Sequence, residues 1–380
     1  MGRKRRLLFF VAEDWYFELH FKQFAIAAVN AGWEVCLVCN TGQKGDEVQT
    51  KILSCGIKIV PIRLSRSGIT PWMDIRAFLT VLSIVKSFKP QVIHAVALKP
   101  ILLSQFVSFL TRTPFLAMIT GLGYVFTGTS AKALLVKPVV STVMRFVARN
   151  PFARFLVLNE EDAQWVQDNF NTHSKKVKTI PGTGIDLCRF FPAKQKPDLP
   201  FTVAYVGRML NDKGIIELIE AVRILRDRGV ILKLILAGAP DPGNPASISM
   251  ENIKDWQQNR LCSYLGHIGN VEELYRQIHI LALPSYREGL GMTILEAAAT
   301  GVPSIATDVP GCRSAVKNGE TGILVPVKNA NLLADAIEEL LCSPDKREAM
   351  GLEARKLVEE KFDSKIVVGL MLEQYNEMLS

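Results

Sequence analysis

Short apolar runs alternate with amphipathic helical stretches along nearly the whole chain, and this alternation restricts the possible folds more than any other feature. Residues 7–12 read as a strand, 17–31 as an amphipathic helix and 33–39 as a second strand. Further strands are predicted at 57–61, 91–96, 114–119, 155–158 and 177–180. Strands that are apolar throughout and separated by helices belong to parallel doubly wound sheets, because crossover helices cover both faces. Residues 181–200 then turn rich in Pro, Gly and Lys, which is linker composition. The alternation resumes at 201–206, with a helix at 213–228 and strands at 232–237, 279–283, 303–307 and 322–325. From Asn331 onward only helical periodicity remains, interrupted at Pro344.

The 380 residues fit about two domains at roughly 150 residues each. The expected division is 1–183 and 184–363, with a last helix at 364–380 packing back on the first domain. Two Rossmann-like α/β domains facing each other make a cleft, and ligands of such sheets bind beyond the carboxyl ends of the strands. A 48% hydrophobic composition excludes a disordered chain or a small disulfide scaffold. Seven cysteines without pairing rhythm fit reduced thiols; Cys36 and Cys39 lie in a buried strand and lack a second ligand pair for zinc.

The net charge of +8 is unevenly spread: residues 1–180 hold 23 Lys and Arg against 11 Asp and Glu. Such a half attracts anionic lipid, phosphorylated substrate or nucleic acid. Nucleic acid is disfavoured, because the cations alternate with aliphatic stretches instead of aromatic platforms. The opening apolar run ends after six residues at Glu13 and Asp14, short of a signal-peptide core. Prolines 100 and 114 and glycines 121, 123 and 128 break the apolar stretch 100–131 before it spans a bilayer. The basic stretch 132–149 carries an amphipathic face suited either to core packing or to anionic lipid.

Chemistry concentrates in the second half. Pro284-Ser285-Tyr286-Arg287-Glu288-Gly289-Leu290-Gly291-Met292-Thr293-Ile294-Leu295-Glu296 follows a strand and opens a helix. Its glycines allow close backbone approach, and the helix start offers N–H groups and a positive dipole end to a phosphate. Glu288 and Glu296 then bracket a hydroxyl-rich ligand; as a purely structural feature, the same residues are a helix start with solvated acids. Upstream, Val206-Gly207-Arg208-Met209-Leu210-Asn211-Asp212-Lys213-Gly214 ends a strand with two cations. These either clamp a diphosphate or form a surface pair.

Together these motifs, with Tyr264-Leu265-Gly266-His267-Ile268-Gly269-Asn270, Ala306-Thr307-Asp308-Val309-Pro310-Gly311 and Asn318-Gly319-Glu320-Thr321-Gly322, resemble family 4 retaining glycosyltransferases of GT-B fold, in the branch that builds capsule, O-antigen and lipid-linked glycans. The segment from His94 to Pro100, with Lys99, and Thr120-Gly121-Leu122-Gly123 are similar in the first half. The resemblance implies that Arg208 and Lys213 hold the donor diphosphate, Glu288 contacts the donor sugar and Glu296 takes the ribose hydroxyls. The amides of Leu290, Gly291, Met292 and Thr293 complete the phosphate site, with Gly289 in the loop and Gly266 near the base. His94, Lys99, Thr120 and Gly121 fall on the acceptor side. Retention then proceeds by same-face attack or through a covalent intermediate on Glu288.

The implied co-substrate is a nucleotide-sugar, UDP-linked and N-acetylated. The implied partners are a polyprenyl-diphosphate-linked saccharide and the anionic inner face of the cytoplasmic membrane. No Asp-x-Asp pair occurs, so neither an obligatory metal nor a resident cofactor is expected. Three positions depart from the family pattern: Gly291 replaces a proline, Thr120 a histidine, and Glu13-Asp14-Trp15 a glycine-rich first loop. The alternatives are a nucleotide-sugar 2-epimerase or hydrolase on the same fold, and a noncatalytic nucleotide-sugar-binding subunit.

Overall fold

The computed structural model describes residues 4–42, 45–64, 71–121, 131–194, 200–241 and 243–379, and the side chains of 71 and 131–136 lie outside the description. The chain divides into two compact units, Met1–Thr183 with Lys365–Ser380, and Gly184–Ser364. Each holds one wholly parallel sheet with helices between its strands.

The first sheet contains β1 (Arg6–Glu13), β2 (Glu34–Asn40), β3 (Lys58–Pro61), β4 (Val92–Val96), β5 (Phe115–Met118), β6 (Ala153–Val157) and β7 (Val177–Thr179), in the order β3-β2-β1-β4-β5-β6-β7. Its centre is apolar on both faces: Leu7, Leu8, Phe9, Phe10 and Val11 are fully buried. That explains the unbroken apolar run, since an interior parallel strand has no solvent face on which to place alternate polar residues. In register, Phe9 of β1 sits between Leu37 of β2 and His94 of β4.

The second sheet contains β8 (Thr202–Val206), β9 (Lys233–Ala237), β10 (Ser263–Gly266), β11 (Ile280–Leu283), β12 (Ser304–Thr307) and β13 (Gly322–Val325), in the order β10-β9-β8-β11-β12-β13. In both sheets the first strand lies between the second and the fourth. Successive connections therefore run in opposite directions on its two sides, leaving a crevice at the carboxyl ends of β1 and β4 and of β8 and β11.

Two elements differ from the sequence reading. The amphipathic stretch 17–31 is two helices, Asp14–His20 and Lys22–Asn30, broken at Phe21, and the first starts directly from β1. The alternation predicts no strand between 237 and 279, yet β10 forms there; it is a short edge strand with an exposed Leu265, so it lacks an apolar signature.

The last helix, Ser364–Glu377, packs into the first unit by burying Val367, Met371 and Tyr375. Arg5 Nη1 donates to Asn376 Oδ1 at 2.9 Å, and Arg154 pairs with Glu377 at 3.1 Å. Of the basic stretch 132–149, Val140, Met144 and Val147 are buried while Val139 and Phe146 are exposed, so part of its apolar face is core. Leu134 and Leu135 lie outside the described side chains. All seven cysteines are free thiols.

Candidate active site in the second unit

The loops after β8 and β11 meet at the crevice of the second sheet. Gly214 has φ +71°, and a Cβ there would stand 2.0 Å from the Pro284 carbonyl oxygen, so only glycine permits this approach. The Tyr286 N–H donates to the Asp212 carbonyl at 2.8 Å, locking the two loops together. Lys213 Nζ then reaches Glu288 Oε1 at 2.6 Å, with the two side chains only 19% and 13% exposed. A Cβ at Gly311 would stand 2.4 Å from the Glu288 carbonyl, so the helix Pro310–Ala315 abuts the Glu288 backbone. The result is a fixed, half-desolvated ion pair 75 residues apart in sequence.

Glu296 lies in the helix Met292–Ala299, where its Oε2 accepts from the Tyr275 hydroxyl at 2.9 Å. Burial pushes its carboxyl up to about 7, opposed by the Tyr275 hydrogen bond and by Arg189. Arg189 pairs with Glu272 at 2.8 Å. Tyr275, Arg189 and Glu272 are additions to the site. Glu272 and Tyr275 follow the motif that ends at Asn270 without any local signal of their role, and Arg189 stands in the linker region, visible only once the loops converge.

Arg208 does not share Lys213's partner: it is 61% exposed on its side chain and pairs with Asp241 at 3.2 Å. Its backbone carbonyl accepts from the buried Tyr205 hydroxyl at 2.7 Å, fixing the residue's backbone while the guanidinium stays exposed. Gly266 ends β10 with φ +66°, and its carbonyl accepts from the Gly238 N–H at 2.7 Å. The amide run is only partly available. The Gly291 N–H donates to the Gly311 carbonyl of the neighbouring helix at 3.3 Å and the Met292 N–H to the Leu290 carbonyl of its own turn at 2.8 Å, so both amides are engaged. Among the described residues no group of three His, Cys, Asp or Glu side chains is arranged to hold a metal ion.

On the first unit, His94 requires a correction. It is fully buried in β4, its Nδ1 lies 2.8 Å from the Tyr375 hydroxyl and its Nε2 3.2 Å from the Met118 sulfur. Phe9 stacks on its ring at 4.8 Å, and burial pushes its pKa down to about 3. This is a neutral core imidazole anchoring the last helix, and it offers nothing to an acceptor. Lys99, after β4, pairs with Asp74 at 2.9 Å. It follows Ala97, held at φ +71° and ψ +167°, a conformation that L side chains rarely adopt. Thr120 and Gly121 are half-buried beyond β5, and Leu122, Gly123, Tyr124, Val125 and Phe126 lie outside the described residues. Beside β2 and β3, a recess of about 830 Å³ is lined by Asn40, Arg63, Arg76 and Thr80.

Comparison with known proteins gives this geometry a context. Residues 6–149 match the family described as glycosyl transferase 4-like, and residues 189–357 match glycosyl transferases group 1. The chain is 27% identical over 350 residues to the N,N'-diacetylbacillosaminyl-diphospho-undecaprenol alpha-1,3-N-acetylgalactosaminyltransferase of Campylobacter jejuni, covering 88% of this chain and 89% of that one. It is 24% identical over 274 residues, 70% of each chain, to the UDP-Gal:alpha-D-GlcNAc-diphosphoundecaprenol alpha-1,3-galactosyltransferase of Escherichia coli. A glycosyltransferase structure from Rickettsia africae superposes over the full length of both chains with a TM-score of 0.79 at 18% identity, a likeness of fold. With both halves matched in order and both sheets of the GT-B kind, the chain belongs to the family 4, group 1 glycosyltransferases.

Proposed function

We propose that this protein transfers a sugar, an N-acetylhexosamine, from a UDP-sugar to a polyprenyl-diphosphate-linked saccharide, with retention of anomeric configuration. The observation that carries the reading is the Lys213–Glu288 pair at the crevice between β8 and β11, with the Tyr275–Glu296 hydrogen bond on the neighbouring helix. Breaking the bond from the anomeric carbon to the diphosphate oxygen puts positive charge on the sugar and negative charge on the departing UDP. Lys213 and the solvent-facing Arg208 are the cations able to meet that negative charge, while the Glu288 carboxylate faces the developing oxocarbenium. Glu296, once ionised, accepts from the ribose hydroxyls.

In the same-face route the acceptor hydroxyl attacks as the diphosphate leaves, and the leaving oxygen takes the acceptor proton. Donor chemistry of this kind needs no resident metal, because side chains supply the cations. The acceptor class draws on the Campylobacter jejuni and Escherichia coli relatives, whose names specify diphospho-undecaprenol sugars. No helix among the described residues is long and apolar enough to cross a membrane, so access to such a lipid is proposed to come from peripheral contact of the basic first unit with the inner face of the cytoplasmic membrane.

The test is product analysis with a panel of UDP- and GDP-sugars, with and without extracted polyprenyl-diphosphate saccharides, in buffer with and without EDTA. A new lipid-linked product of retained configuration from one UDP-sugar, unaffected by EDTA, is expected. Conversion of the donor alone would replace the reading by an epimerase or hydrolase. UDP binding without turnover on any acceptor would make the protein a noncatalytic subunit.

A further inference from the structure

The first unit carries an apolar groove that the donor chemistry does not use. The helices Pro71–Phe88 and Leu98–Thr111 flank β4 in sequence, and both start near the carboxyl edge of the sheet, where Lys99 in the first turn of one pairs with Asp74 in the first turn of the other. Between them lies a groove of about 470 Å³ whose lining includes Phe78, Leu103, Phe106, Phe109 and Leu110, with Asp74 at its mouth. Phe106, Phe109 and Leu110 are 49%, 60% and 61% exposed. Solvent-facing positions of a helix normally hold polar side chains, and clustered exposed aromatics mark a binding surface.

Charge says what lies on this bed. From Lys99 to Leu110 the helix advances about 16 Å without another charged residue. On the opposite flank of the helix Pro71–Phe88, Arg76 faces the recess it shares with Arg63. One helix therefore stands between cations and an apolar groove that begins at Asp74, the partner of Lys99. A diphosphate joined to a long hydrocarbon chain fits both parts. A protein helix would fill the apolar bed but leave the cations beside it unused.

We propose that this groove seats the first isoprene units of the lipid-linked acceptor, with the acceptor diphosphate at the Lys99 end, where Lys99 exchanges Asp74 for a phosphate oxygen. The inference rests on the lipid-acceptor reading above and specifies where the chain lies. It assigns Phe106, Phe109 and Leu110 to acceptor binding, although none of them stands in a motif.

The test compares two synthetic acceptors in vesicle-free buffer: the same saccharide diphosphate on a short alkyl chain and on a three-isoprene chain. For the wild-type protein, the longer chain is expected to lower KM about tenfold or more, as burial of added hydrocarbon requires. Phe106→Gln and Leu110→Gln should reduce that ratio to about threefold or less, while UDP still raises their melting temperature and so reports an intact fold. Leu79→Gln alters a residue 55% exposed on the helix Pro71–Phe88 but outside the groove lining, and should keep the wild-type ratio. An unchanged ratio in the groove variants overturns the proposal. So does a defect that appears only when phosphatidylglycerol vesicles are added, which would make the face a bilayer contact instead of a chain site. Failure of the wild-type protein on every lipid acceptor, with UDP binding retained, removes the acceptor reading itself and is distinguishable from both.

Discussion

The two sheets share a strand order through their first six strands but fill their crevices with opposite chemistry. At the carboxyl ends of β8 and β11, charged side chains from distant loops pair in a half-buried setting, Lys213 with Glu288. At the ends of β1 and β4, the carboxylates are drawn into the structure. Asp14 accepts from the Trp15 and Gly42 amides at 2.7 and 3.1 Å, Glu13 accepts from Asn40 at 3.1 Å, and His94 is sealed beneath Tyr375. What the first unit shows to solvent near its crevice is instead a lysine, two arginines and an apolar groove. Topology thus supplies a crevice in each unit, and the side chains around the two differ: paired charges in the second, an apolar groove with cations beside it in the first.

The sharpest way to break this contrast is at the ion pair. Lys213→Ala and Glu288→Gln should each lower kcat by about 10²- to 10³-fold, the usual loss for one charge-stabilising group. Near-wild-type turnover in either variant would remove the donor site from the β8–β11 crevice. Arg208→Ala tests the exposed half of the same assignment. Transfer should fall by a comparable factor while the melting temperature barely moves, since an exposed pair such as Arg208–Asp241 contributes about 0–1 kcal/mol.

Glu296 sharpens the comparison through pH. Its carboxyl is raised by burial to about 7, so the ligand-free folded protein holds a proton there through the window from the ordinary carboxylate range up to neutrality. In that window the unfolded chain binds fewer protons, and the contribution of this group to stability falls as pH rises. Ribose hydroxyls donate to the ionised form, so UDP binding expels the proton. UDP affinity should therefore increase from pH 6 to pH 8 by several-fold and level off above, while Glu296→Gln flattens the profile. Arg189→Ala removes a charge that lowers this pKa, and should move the midpoint upward. A wild-type profile that is flat across pH 6 to 8 would mean that Glu296 does not touch the nucleotide.

The smallest effect belongs to the first unit. Tyr375→Phe leaves His94 Nδ1 without its partner in a buried site and should lower stability by about 1–3 kcal/mol, with transfer per folded molecule unchanged. A large loss of kcat at full folding would return His94 to the acceptor site.

Much of this was readable from local pattern. The unbroken apolar strands, Gly214 beside Lys213 and the run from Glu288 to Glu296 are each patterns of a few consecutive residues, and strand–turn–helix periodicity is a local property. The edge strand Ser263–Gly266 escaped because it buries too little to have a pattern. The split at Phe21 escaped because both helices keep the same apolar period on either side of it. Thr120 and Gly121 follow β5, and a motif says nothing of what their loop contacts.

Local pattern alone carried the two parallel α/β units, their division near residue 183 and the placing of Lys213, Glu288 and Glu296 beside the strand ends of the second sheet, because backbone hydrogen bonding and burial impose their period directly on the amino acids. Only the tertiary structure decided which charges meet. Lys213 and Glu288 are 75 residues apart, and His94 and Tyr375 are 281 apart, joined because strand order and helix packing bring their backbones together. The same holds for the groove between Pro71–Phe88 and Leu98–Thr111. Its aromatic residues look like core in the sequence, and only packing, which covers one side of each helix and leaves the other open, makes them a surface.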